Sequence, residues 1–536
     1  MIQKNNWTLL AVAAAALALR LALAAAQLPY HYQADEFQVI ERALRVGAGE
    51  FNPGLFTWPG TLVIYLNFLT LAGYFVVTKI AGVARDAAAF ANLYWREPGA
   101  FYFLGRALSS AFGVGGVIMA ARWARVSINN AAALAAAAFV ALAPAAVKAS
   151  AVALPDAAAV ALGTASLAYG VKYVREPKLR YFAAAGFLLG LGAAAKYHVL
   201  LYAPALVSCV LLSPGAAAKG KAVGVGAGAA AAAFILACPF AVLDAPAFFS
   251  DLALMARRPG MFRWLPTPRY FFGTTLPLAA GWPLIAMAAV GTVSLIRRRG
   301  RFALVAALAA APFIILALIR PLPPRHLLPL VPPLAIAAGA GAADVVNFKK
   351  RIIKIPATIG LALLFGATLA MDVGHVVWAW REDTRTAAAA WLEAEIPANA
   401  ALVVETLPPD VEGPPLWPSR PALERLVAYY RAAGGGSPGR YGYQLKTPDY
   451  PFGHRTYDTY LVSELDDFKS VPAPGYALST EADDGDFYAE QAKPYGIPLA
   501  PWAEEYARFL RKNGYPIKKF PGAGRPGPTI EIYRLN

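Results

Sequence analysis

Apolar runs close to the roughly 20 residues that a bilayer-crossing helix needs recur from Trp7 to about His375. Short loops between them collect Lys and Arg, at residues 122–125, 172–180, 219–221, 297–301 and 349–354. Loops of that kind stay on the cytoplasmic side. All five share that side if spans run at 7–27, 100–122, 128–148, 151–171, 181–196, 198–213, 221–241, 274–296, 302–319, 325–345 and 352–375. The pattern therefore predicts about eleven spans, with the amino terminus inside and the carboxyl-terminal region outside. The first run ends in small residues of the signal-peptidase type, but it is long enough to span and carries Arg20. A charge at that depth is expensive and is expected to face the bundle interior.

The segment 58–83 strains this scheme. It is apolar and long enough to cross, yet a crossing would invert every later loop. It is read as a hydrophobic element packed within a first external loop, 28–99. That loop opens with two adjacent carboxylates, Asp35 and Glu36, at the start of a short amphipathic helix. Phe37, Ile40 and Leu44 fall at helical spacing, and Gly47 and Gly49 end it. Such a helix is expected to lie on the membrane surface with its apolar face in the acyl boundary. Glu41 and Arg45 are spaced as i,i+4 partners.

From residue 378 the pattern changes. Helix-like stretches at 384–395, 421–432 and 501–512 alternate with strand-like runs at 401–405, 459–463 and 529–535. The Gly- and Pro-rich stretches 434–439 and 521–528 are loops. This predicts a small soluble α/β domain over 378–536 behind a membrane domain over 1–377. The fold class is thus a polytopic α-helical membrane protein with a small carboxyl-terminal α/β domain.

Composition agrees. The chain has 536 residues, 58% hydrophobic and only 15% charged, against roughly 25% charged in soluble domains; its mean hydropathy is +0.46. The net charge of +16 resides in loops between spans. No basic stretch with interleaved aromatics offers a base-stacking surface, so nucleic acid is not an expected partner. Cys209 and Cys238 both lie in apolar segments and imply neither a disulfide framework nor a Cys-rich metal site. No Walker A loop or dinucleotide-binding glycine fingerprint is present.

On this topology Asp35, Glu36, Arg106, Asp156, Lys196, Tyr197, His198, the 257–269 loop, Arg320, Arg325 and His326 all fall at or near the outer face. Acids and bases from distant segments then gather on one side of the membrane, a pattern suited to a lipid-linked anionic substrate. An acid such as Asp156, after Pro155 at a span end, is expensive unless used or paired. Lys196, between apolar stretches, carries the same implication. Arg offers a bidentate fork to phosphate and Lys a point charge, which makes Arg106, Lys196, Arg257, Arg258, Arg269 and Arg325 candidate phosphate ligands. Arg257 and Arg258 equally suit anionic lipid head groups, and Arg106 equally suits a structural pairing with an acid.

Several stretches resemble a known family. These are residues 34–37, 50–59, 103–113, 153–156, 190–198, 323–332, 391–397 and 525–535. Together they resemble the bacterial relatives of the dolichyl-phosphate-mannose protein mannosyltransferases and of the lipid A aminoarabinose transferases. Those are membrane glycosyltransferases of the GT-C type, family 39, with about 11–13 spans. The resemblance implies transfer of a sugar from a polyprenyl-phosphate carrier to a lipid, protein or glycan acceptor, with inversion at the anomeric carbon. It further implies the bacterial cytoplasmic (inner) membrane, with the tail in the periplasm. One departure stands out: where the family often has Tyr after Arg in the motif at 323–332, this chain has His326.

In that reaction the acceptor hydroxyl needs a base, worth roughly 10²–10⁴-fold. The resemblance assigns this to Asp35, which as a residue alone suits a helix cap equally well. Glu36 orients the acceptor, pairs with an Arg, or is a solvated charge. Asp156 is the third candidate catalytic acid. Where the family's Tyr hydroxyl would touch phosphate, either His326 replaces it as donor or the contact is lost. His31, Tyr197 and Trp58 are candidates for the sugar or acceptor groove, and the loop aromatics Phe51, Phe56 and Trp58 also suit an interfacial belt. His31 with Asp35 and Glu36 has the residue types of a divalent-metal site, but no regular ligand spacing supports it, so neither a metal nor a cofactor is expected. The rival class is a transporter or flippase that moves a lipid-linked sugar without chemistry. The related halves common in transporters are not visible in this sequence.

Overall fold

The computed structural model describes residues 2–30, 33, 35–57, 60–214, 219–257, 267–320, 322–347, 351–404, 414–432, 439–447, 449–451, 453–461, 475–480 and 501–536. It divides into two compact units. The first comprises Met1–Ala25, Gln38–Ile80 and Phe101–Val376; the second comprises Ala26–Phe37, Ala81–Ala100 and Val377–Asn536. The division is therefore discontinuous in sequence: two pieces of the stretch between α1 and α5 belong with the tail.

The first unit is helical. Its long elements are α1 (Ile2–Ala24), α2 (Glu36–Gly47, entering from the other unit) and α3 (Thr61–Ile80). After α4 (Ala87–Arg96, in the second unit) come α5 (Gly99–Ser127), α6 (Asn130–Leu142), the short α7 (Pro144–Ala149), α8 (Asp156–Arg175), α9 (Leu179–Ala195), α10 (Ala203–Leu212) and α11 (Lys219–Ala237). Short helices α12 (Phe240–Leu243), α13 (Ala245–Arg257), α14 (Thr267–Tyr270) and α15 (Leu276–Ala280) precede α16 (Trp282–Ile319), α17 (Val331–Val346) and α18 (Arg351–Ala379). Among the described residues, eight helices are long and apolar enough to cross a membrane, or up to nine if the bent pair Thr267–Ala280 and Trp282–Arg297 is one span; four shorter apolar helices accompany them.

Contacts sort the helix ends into two groups. At one end Arg175 donates to Ser127 O at 3.5 Å, Arg122 stacks on Tyr169 at 4.9 Å and Arg175 on Phe302 at 5.0 Å. Basic loops predicted to share one side thus meet there. At the other end Ser110 Oγ donates to Ser150 O, Lys196 meets Asp156, and the Tyr202 hydroxyl donates to Pro329 O. Helix α16 is hydrogen-bonded throughout, yet its contacts reverse near Arg297–Arg301. Ser294 before that point donates to Asp344 near the end of α17, whereas Phe313 after it packs on Tyr202 at 5.6 Å. The two halves are the two runs expected at 274–296 and 302–319.

Helix α3 is long and apolar enough to cross, but contacts from both halves of it fall at one end of its neighbours. Gly60 N, just before it, donates to Ala195 O at the close of α9, Thr61 accepts from Cys238 after α11, and Tyr74 packs on Phe101 at the start of α5. It therefore lies across that end of the bundle.

One expectation is corrected. The buried face of α2 is Glu36, Val39, Ile40, Ala43 and Val46, rotated from the predicted Phe37–Ile40–Leu44 stripe. That face packs on protein rather than entering the acyl boundary: the Ile40 side chain lies against Gly105 of α5. The predicted terminator is present, with Gly49 at φ +98°, a left-handed conformation that glycine adopts freely.

The tail is a five-stranded mixed sheet of order β2-β1-β3-β5-β4. Its strands are β1 (Ala401–Val404), β2 (Asp458–Leu461), β3 (Gly475–Thr480), β4 (Gly514–Phe520) and β5 (Ile530–Leu535). Strand β1 pairs parallel with β2 and β3, while β5 pairs antiparallel with β3 and β4. Helices α19 (Thr384–Glu395), α20 (Arg420–Ala432) and α21 (Gly439–Lys446) bury Leu392, Leu423 and Tyr441 against one face. Helix α22 (Pro501–Asn513) places Tyr506 and Leu510 on the other, against Val403 and Ala477.

Candidate active site

Asp156 opens α8 directly after Pro155, and only 3% of it is exposed. Lys196 closes α9 in an extended conformation, φ −159° and ψ 126°, which turns the chain into the 3-10 turn Tyr197–Tyr202. The two helix ends thereby face each other, and Lys196 Nζ donates to Asp156 Oδ1 at 2.7 Å. Removing either partner of such a pair is strongly destabilising, because it strands the other charge in a poorly solvated place.

Arg325 and His326 sit in a second 3-10 turn, Pro324–Leu330, where Pro324 and Pro329 fix the backbone. The hydrogen bond from Tyr202 to Pro329 O ties this turn to the first. The charges of Lys196 and Arg325 and the ring of His198 all act on Asp156, and Asp156, Lys196, Arg325 and His198 all act on His326. Four elements thus converge: the start of α8, the end of α9 and two 3-10 turns. Of the predicted residues, Asp156, Lys196, Arg325 and His326 are brought together.

His198 belongs to this group, although its place in the sequence predicts only a position near the outer face. Its ring stands edge-on to Phe313, with centroids 6.3 Å apart. Both ring nitrogens are buried with no hydrogen-bond partner, and so is the Tyr197 hydroxyl. The only signal in sequence was adjacency to Lys196 at a span end.

Arg106 is buried on α5, next to Gly105, whose Cα abuts Ala153 of the turn that leads to Asp156. It donates to Ala24 O at 3.0 Å, binding the carboxyl end of α1. Lys or Arg at a helix carboxyl end satisfies unpaired carbonyls and opposes the dipole. Arg269 is exposed on α14, whose Thr267 donates to Leu318 O. His31, Trp58 and Arg258, and the side chain of Arg257, lie outside the described residues.

Asp35 and Glu36 fall in the second compact unit. Asp35 is half-buried just ahead of α2; Glu36 is its first residue and 0% exposed, which excludes the solvated-charge reading. In the same unit Tyr30 is drawn in with the tail: burial and then the carboxylate of Glu393 raise its phenol above the ordinary value. Pro29 also packs where a side chain on Gly99 would stand. Among the described residues no group of three or more His, Cys, Asp or Glu converges in a metal-holding arrangement.

Residues 102–243, which include Arg106, Asp156 and Lys196, match the family model described as dolichyl-phosphate-mannose-protein mannosyltransferase. No curated protein matches the chain. Among solved structures, ArnT from Cupriavidus metallidurans in the apo state is similar over 99% of this chain and 98% of that one, at 14% identity and TM-score 0.56. The same protein bound to undecaprenyl phosphate is similar over 98% of both chains, at 13% identity and TM-score 0.51. The apo oligosaccharyltransferase of Archaeoglobus fulgidus is similar over 95% of this chain and 73% of that one, at 12% identity and TM-score 0.50. The fold is of the GT-C type: a helical membrane part followed by a small sheet-containing tail.

Proposed function

We propose that this chain is an inverting glycosyltransferase. It moves a sugar from a polyprenyl-phosphate carrier to a hydroxyl of a lipid, protein or glycan, at the periplasmic face of a bacterial inner membrane. The observation that carries the reading is the buried Asp156–Lys196 pair joined by Arg325, His198 and His326 at one end of the bundle. The family match over residues 102–243 and the ArnT fold, solved elsewhere with undecaprenyl phosphate, support a lipid-phosphate donor.

In the proposed step the acceptor oxygen bonds to the anomeric carbon while the bond from that carbon to the phosphate oxygen breaks on the opposite face. The electron pair leaves with the carrier phosphate, whose added negative charge meets Lys196 and Arg325. Asp156 is a positioning residue: it holds the Lys196 ammonium in place. Arg325 supplies the planar fork, and His326 and His198 supply ring N–H donors. The acceptor proton goes to Asp35 on the strength of the family resemblance alone, and Glu36 is assigned to orienting the acceptor on the same ground. No cofactor enters this scheme.

The test is transfer by purified protein from a polyprenyl-phosphate sugar to an acceptor extract, comparing wild type with Asp35→Asn. The variant is expected to lose roughly 10²–10⁴-fold in rate. Equal transfer by both removes Asp35 from the chemistry. Movement of unmodified lipid across vesicles, with no new glycoside, would establish a flippase instead.

A further inference from the structure

The first unit buries a second set of charges away from the Asp156–Lys196 pair. Arg20 is 0% exposed and donates to Ala16 O at 3.1 Å, Ala141 O at 3.0 Å and Val140 O at 3.4 Å. The last two bonds satisfy carbonyls at the carboxyl end of α6, so most of this guanidinium is engaged. Helix α18 flanks this region and is otherwise turned outward, with Leu369, Met371 and Val373 exposed. Asp372 turns the other way: it is 8% exposed, and its Oδ2 has no hydrogen-bond partner.

Helix register places Asp372 near Arg20. Phe365 of α18 packs on Phe139 of α6 at 4.7 Å. Seven residues on, two turns along the same face, comes Asp372; two residues past Phe139 comes Ala141, which holds Arg20. The charges of Arg20 and Lys148 both act on Asp372, and that of Lys148 acts on His375 one turn further along α18. Lys148, on α7, is exposed on the flank of an apolar bundle. An ionisable group at membrane depth without a direct partner is a site by default, and a buried acceptor left unmade costs about 1–3 kcal/mol, more if charged.

We propose that Lys148 and Asp372 form a headgroup site for a phospholipid that carries a primary ammonium. The lipid phosphate meets the Lys148 ammonium, and the headgroup N–H donates to Asp372 Oδ2. The opposite charges, which act on each other without forming an ion pair, call for a ligand carrying both signs. The outward apolar face of α18 beside them calls for a lipid rather than a free phosphate. The orphaned acceptor calls for a headgroup nitrogen that still bears hydrogen. The proposal is independent of the transferase reading.

The experiment is lipid binding to the purified full chain, by native mass spectrometry and by thermal shift. The probes are phosphatidylethanolamine, phosphatidylcholine and phosphatidylglycerol of identical acyl chains, with glycerophosphoethanolamine as the soluble headgroup. Phosphatidylethanolamine is expected to be retained best and to raise the melting temperature most. Asp372→Asn is expected to weaken that preference roughly tenfold, and Lys148→Met to weaken binding of all three lipids. Equal retention of the three by wild type overturns the proposal, and this measurement stands even if a variant fails to fold. Equal stabilisation by glycerophosphoethanolamine would overturn the lipid as the ligand in favour of a soluble one.

Discussion

Lys196 Nζ and Asp156 Oδ1, 2.7 Å apart, join the carboxyl end of one helix to the amino end of another across 40 residues of sequence. The pair is largely sealed from solvent, with the two side chains 16% and 4% exposed. A buried ion pair contributes little net stability over apolar packing, but a broken one is expensive. Its presence in the candidate site therefore points to positioning of the Lys196 charge rather than to stability.

A double-mutant cycle checks this. Lys196→Met alone should destabilise by about 3–5 kcal/mol, since it strands the Asp156 carboxylate. Adding Asp156→Asn should recover much of that stability while transfer stays lost. Thermal melts read the first quantity and glycoside formation the second. Restored transfer in the double variant would remove both residues from the phosphate site.

His198→Phe separates substrate contact from packing. The ring already stands against Phe313, and neither nitrogen makes a well-formed hydrogen bond, with only the Lys196 backbone near enough to interact. Replacing an unsatisfied polar group by an apolar one of similar shape is near neutral or stabilising. The variant should melt no lower than wild type yet transfer at least about tenfold more slowly, the effect of losing one good donor. Wild-type turnover would make His198 a packing residue.

Gly105 marks where α2 and α5 approach. A Cβ there would stand 2.7 Å from the Ile40 side-chain tip, 2.9 Å from Ala153 Cβ and 2.9 Å from Asn67 Oδ1. The Ile40 tip can swing aside; the Ala153 methyl cannot. Gly105→Ala should cost about 1–3 kcal/mol, as overpacked cores do. An unchanged melting temperature would show that α2 is not seated as described.

Truncation after Arg381 should abolish folding of more than the tail. Residues Ala26–Phe37 and Ala81–Ala100 belong to the tail's compact unit, so removal strips apolar cover from the segment that carries Asp35. Limited proteolysis of the truncated chain should cut within 26–37 and 81–100. Persistent protection there, with acceptor choice unchanged, would count against any role of the tail in the reaction.

What the sequence determined by itself is whatever local pattern controls. Runs of about 20 apolar residues and their basic loops gave the helices and the shared basic end. The tail helices at 384–395, 421–432 and 501–512 lie within about a residue of the observed ones, since capping residues and periodicity are local. The strands β3 and β4 were not legible. The first is built on Gly475 and Ala477, residues with little strand preference; the second is an edge strand with Pro516, Lys518 and Lys519 and no alternating face. Tertiary structure alone decided the rest. It rotated α2 so that Glu36 is buried, laid the apolar α3 across one end of the bundle, and gave pieces of the first loop to the tail. It also chose His198 and Asp372 as orphaned polar groups. None of these is periodic in the chain: each depends on which distant helix end supplies, or withholds, a partner in a place that water does not reach.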